Sequence, residues 1–76
     1  MYVITSPNNI KKLMQELAAN LQCGEKVEIR LSDVELISLI PAEALSNELS
    51  VIDAYEVGSK GAIIIIERRF GGKCKS

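Results

Sequence analysis

Thr5-Ser6-Pro7-Asn8-Asn9 is the stretch on which the fold turns. Before it, Tyr2-Val3-Ile4-Thr5 consists of residues that favour strands. After it, Ile10, Leu13, Met14, Leu17, Ala18 and Leu21 recur at steps of three, four, seven, eight and eleven. That spacing marks one face of an α-helix over about Pro7 to Gln22. Ser6 then Pro7 is a helix-start signal, because a serine hydroxyl can accept from a free amide and proline suits the first helical position. A site at this turn would sit on a helix N-terminus, with its free N–H groups and partial positive charge. The side chains here are a hydroxyl and two amides, with no base or thiol beside them.

Working outward, Gly24 is the expected stop of this helix, since glycine readily takes the left-handed conformation. Lys26-Val27-Glu28-Ile29-Arg30-Leu31 alternates polar and apolar, which predicts a strand with one buried face. Ser32-Asp33-Val34-Glu35 fits a capping box with Ser32 as the cap. The region from Asp33 to Glu48 reads as a short helical turn, a break, and a helix starting near Pro41. Its expected inward residues are Ile37, Ile40, Ala44, Leu45 and Leu49. Ser50 to Val57 is a third strand, and Gly58-Ser59-Lys60-Gly61 is a hairpin turn. Ala62 to Arg68 is a fourth strand whose consecutive isoleucines predict a central position, covered on both sides at least in part.

The expected fold is therefore an α/β (α+β) two-layer sandwich, β-α-β-α-β-β, with a four-stranded mixed sheet and both helices on one face. Residues 1–69 form a single domain and 70–76 a flexible C-terminal tail. Each large apolar side chain of the first helix contributes about 1.5–3 kcal/mol when fully buried. The other sheet face receives two isoleucines of the fourth strand beside Glu28 and Arg30, and is a candidate surface for self-association.

This arrangement resembles the TusA/SirA-like family of small sulfur-carrier proteins. The resemblance rests on Gly24-Glu25 before the second strand, Asp33 after it, and Ile40-Pro41 opening the second helix. It implies a Cys-Pro-x-Pro turn at the start of the first helix, whose cysteine accepts sulfur as a persulfide and hands it to a partner. The matching stretch here is Ser6-Pro7-Asn8-Asn9, which keeps the first proline and replaces the cysteine by Ser6. A hydroxyl cannot form a persulfide, so the resemblance implies a non-catalytic interaction or sulfur-relay accessory module. Ser6, Pro7, Asn8, Asn9, Ile40 and Pro41 are then the motif and partner-binding positions.

Other chemistry finds little support in the residues. Ser6 as a nucleophile lacks a base, because the chain has no histidine. The same absence removes the usual Cys/His zinc sets, and neither metal nor cofactor is expected. Cys74, between Lys73 and Lys75, is the alternative sulfur-carrying thiol, since neighbouring cations favour the thiolate. Cys23, at a helix C-terminus, reads as a small buried apolar residue. Two cysteines make no disulfide framework, so free thiols and a cytoplasmic location are expected. A net charge of −1 without a basic stripe argues against nucleic acid, although Glu67-Arg68-Arg69 makes a mildly basic end. The longest apolar run, Ala62 to Ile66, is too short to span a bilayer, and the N-terminus does not read as a signal peptide. The partner is therefore expected to be another protein.

Overall fold

The computed structural model describes residues 2–71 and 74. It is an α+β fold with a four-stranded mixed sheet and two α-helices, an arrangement compatible with a two-layer sandwich. The elements are β1 (Tyr2–Ile4), α1 (Pro7–Asn20), β2 (Lys26–Leu31), a 3-10 helix (Val34–Leu39), α2 (Ile40–Ser46), β3 (Ser50–Val57) and β4 (Gly61–Glu67). The sheet order is β1-β2-β4-β3. β1 lies parallel to β2, and β4 is antiparallel to both β2 and β3. β4 is thus central, as its isoleucine run requires: Ile64 and Ile66 are fully buried and Ile63 nearly so.

One core joins both helices to the sheet. Ile10, Leu13, Met14 and Leu17 of α1 and Ile40 and Ala44 of α2 pack with Ile4, Ile29, Leu31, Ala62, Ile64 and Ile66. The 3-10 helix has a period of three, which lines up Val34, Ile37 and Ile40 and also buries Leu36. An α-helical register over this region puts Leu45 inward, but Leu45 is 65% exposed. The shift follows from the three-residue period ahead of α2.

The register defines the second sheet face. Arg30 pairs with Ile63, and Glu28 with Ile65. β3 carries an irregularity between Val51 and Asp53, where Ile52 is the extra residue. The bulge reverses the alternation, so Asp53, Tyr55 and Val57 share the face of Ile63 and Ile65. Gly58, at φ +70, opens the hairpin turn. Gly61 closes it, where a Cβ would press on Val57 O at 3.2 Å and Leu31 O at 3.3 Å.

Helix ends depart from the expected caps. Ser6 occupies the N-cap of α1 in extended geometry, but its side chain makes no capping hydrogen bond. Before the 3-10 helix the cap is Asp33, not Ser32: Asp33 Oδ1 accepts from the Glu35 N–H at 2.9 Å. The Ser32 hydroxyl instead donates to Thr5 O at 3.4 Å. α1 ends at Asn20, earlier than Gly24, because Leu21 already turns extended. Gly24 serves the next turn, at φ +90. α2 ends with Leu49 N–H donating to Ala44 O at 2.8 Å and Glu48 N–H to Leu45 O at 3.1 Å. That termination places Glu48 in the left-handed region, at φ 62.

Candidate functional site

A groove with a volume of about 770 Å³ opens beside the β1–α1 turn. Thr5 and Pro7 form one wall, and Asp33 to Leu39 form the other. Ser32 N–H donates to Ile4 O at 3.0 Å, which pins the β2 exit to the end of β1 and fixes the distance between the walls. Val34 N–H bonds to Lys60 O, tying the 3-10 helix to the hairpin turn. The groove surface is largely aliphatic, and Leu39 is 47% exposed at its rim.

The sequence-derived positions distribute around this groove. Pro7 lines it. Ser6 sits half-buried at the turn and is not among the lining residues. Asn8 and Asn9 are exposed on the first turn of α1, and Asn9 lines a smaller cleft with Tyr2, Lys12 and Glu16. Pro41 is exposed, but Ile40 is fully buried in the core and offers no surface to a partner. The sequence reading missed Leu36 and Leu39. The signal was the three-residue period, which an α-helical template does not test.

The groove's polar groups have local tasks. Asp33 caps the 3-10 helix, and the Ser38 hydroxyl donates back to Glu35 O at 3.0 Å. Among the described residues, no group of three His, Cys, Asp or Glu side chains could hold a metal ion. No thiol lies in the groove. Both cysteines lie beyond the far end of α1, a helix of fourteen residues, which spans about 21 Å.

At that far end the expectation of free thiols is corrected. Cys23 and Cys74 form a disulfide, with their Cα atoms 4.9 Å apart. The cause is topological. Lys26 stands opposite Glu67 in the antiparallel pair, so the chain entering β2 and the chain leaving β4 share one end of the sheet. Cys23 is also exposed, not buried as expected. The expectation of a flexible tail falls partly on 72, 73, 75 and 76, which lie outside the described residues. Within the tail, Gly71 lies against the Glu48 side chain and Cys74 is bonded to Cys23.

Arg68 corrects a second expectation. It does not add to a basic surface, being only 2% exposed. Its Nε donates to Leu21 O at 2.8 Å and its Nη2 to Ala18 O. The guanidinium therefore caps the C-terminus of α1, where unpaired carbonyls and the helix dipole favour a cation. Gly24 N–H donates to Arg68 O at 2.8 Å and Arg68 N–H to Glu25 O at 3.1 Å, closing the same corner. The parity was legible: position 68 continues the inward series of Ala62, Ile64 and Ile66.

No helix is long and apolar enough to cross a membrane. Comparison with known proteins finds no matching family model, no matching curated protein and no matching solved structure.

Proposed function

We propose that the chain is a TusA/SirA-like βαβαββ sandwich that works in the cytoplasm as a non-catalytic protein-interaction module, accessory to sulfur relay. The observation that carries this reading is the groove between Thr5-Pro7 and the 3-10 helix. It opens where the resemblance puts the family's sulfur-accepting turn, and its lining is largely aliphatic, with two carboxylates and two hydroxyls but no thiol, imidazole or amine. Such a surface binds by burying apolar area against a partner protein, with Leu39 and Pro7 as exposed contacts. Sulfur transfer through Cys74 needs the reduced thiol, and Cys74 is bonded to Cys23.

The test is site-specific photocrosslinking in an extract of the source cells. A photoreactive residue at position 39 should capture a discrete protein partner. The same residue at Gln15, exposed on α1 away from the groove, should capture none. Leu39→Glu should abolish competition by the unlabelled protein. Equal capture from both positions would sink the proposal.

A further inference from the structure

The disulfide joins two places that the core does not need. Neither cysteine belongs to the hydrophobic cluster that holds helices and sheet together. Cys23 is exposed in the turn Gln22–Glu25, which Glu25 N–H closes onto Gln22 O at 3.0 Å. Cys74 is half-buried. Between β4 and Cys74 the chain passes the end of α2, where Gly71 lies so close to Glu48 that an added Cβ would stand 2.8 Å from the Glu48 Cβ. Gly71 is held at φ +94, and Cys74 N–H donates to Gly71 O at 3.0 Å. Gly71 therefore lies at the end of α2, and the sulfur–sulfur bond ties Cys74 to the turn beyond the end of α1.

From this geometry we infer that Cys23–Cys74 is a thiol–disulfide exchange site, a latch that a dithiol reductant opens without unfolding the domain. A thiolate of the reductant attacks the exposed Cys23 sulfur. The Cys23–Cys74 bond breaks, and its electron pair leaves on Cys74 as a thiolate. This direction is favoured because Cys23 is exposed and Cys74 half-buried, so an incoming thiolate reaches the Cys23 sulfur first. The second thiol of the reductant then attacks the mixed disulfide, releases Cys23 and becomes the reductant's own disulfide. Two electrons and two protons pass from the dithiol to the cysteine pair. The chain then alternates between a form in which Cys74 is fastened to Cys23 and one in which it is released and both cysteines are thiols. This inference stands independently of the groove and its partner.

The full-length protein is oxidised with a small disulfide, then divided and treated with or without dithiothreitol. Thiols are counted by alkylation and intact mass, while circular dichroism and amide hydrogen exchange report structure. The expected result is no alkyl tag before reduction and two after it. The far-ultraviolet spectrum should stay native at 25 °C, and exchange at the Cys74 amide, which donates to Gly71 O, should rise at least tenfold. With a limiting monothiol, the first mixed disulfide should be recovered on the Cys23 peptide. Two tags on the oxidised protein would overturn the inference, as would unfolding on reduction or unchanged exchange at the Cys74 amide. A first adduct on the Cys74 peptide would overturn it too. Cys74→Ser, which removes the bond without a reductant, should reproduce the exchange of the reduced form.

Discussion

Arg68 places a full charge at an inward position just past the end of β4 and offsets the cost with the carbonyls of Ala18 and Leu21. Hydrogen bonds from a charged donor contribute about 1.5–3 kcal/mol, and losing the donor also leaves buried acceptors unpaired. Arg68→Ala is expected to cost about 3 kcal/mol in urea unfolding, read as a lower midpoint. Arg68→Lys should recover only part of that, because an ammonium cannot hold two carbonyls in the fixed geometry of a guanidinium. Glu48 is the opposite case, a residue working against its own backbone at φ 62. Glu48→Gly relieves a left-handed side-chain conformation, about 0.5–1 kcal/mol, but also removes the side chain that lies against Gly71, so the urea midpoint is expected to rise by less than that figure alone gives. Parity along β4 made Arg68 readable. Nothing in Asn47-Glu48 announces a left-handed helix end, because that position usually holds glycine.

Between β2 and α2 the chain relies on one carboxylate. Asp33 accepts from the Glu35 N–H and so starts the 3-10 helix that forms one wall of the groove. Asp33→Ala is expected to cost about 1 kcal/mol and to speed hydrogen exchange at the Glu35 amide, with exchange at α1 amides changed only in line with global stability. Ser32→Ala should cost less, since its hydroxyl makes only a long bond to Thr5 O. Strands were the most legible elements. The alternation of Lys26 to Leu31 set β2, and the isoleucines of β4 announced its central place. The region around Pro41 was less legible. Proline is compatible with the first turn of an α-helix and equally with a break before it, so sequence alone cannot choose between a 3-10 and an α period upstream.

A chain this small has little surplus stability, so a covalent link across 51 residues weighs heavily. The loop-closure relation gives about 4 kcal/mol for a loop of that length. In a domain of this size each kcal/mol moves the melting temperature by about 4–8 °C. Calorimetry of the reduced protein, or of Cys74→Ser, should therefore show a melting temperature at least about 10 °C below that of the oxidised wild type. The pairing was not legible from the sequence, because it depends on which strands become neighbours, and that is a property of the whole sheet.

The extra residue in β3 has a consequence of its own. A strand is a two-letter alphabet of up and down, and Ile52 shifts its reading frame by one. Upstream of it the strand spells in phase with β4 through Val51 and Ile66; downstream the letters are exchanged. Pair Ile52 with Ile65 instead of leaving it bulged, and the residues after it spell the complement: Asp53 and Tyr55 turn toward the core, while Ala54 and Glu56 turn outward. The character of the face that carries Ile63 and Ile65 thus hangs on one bulged isoleucine, which keeps a carboxylate and a phenol out of the core.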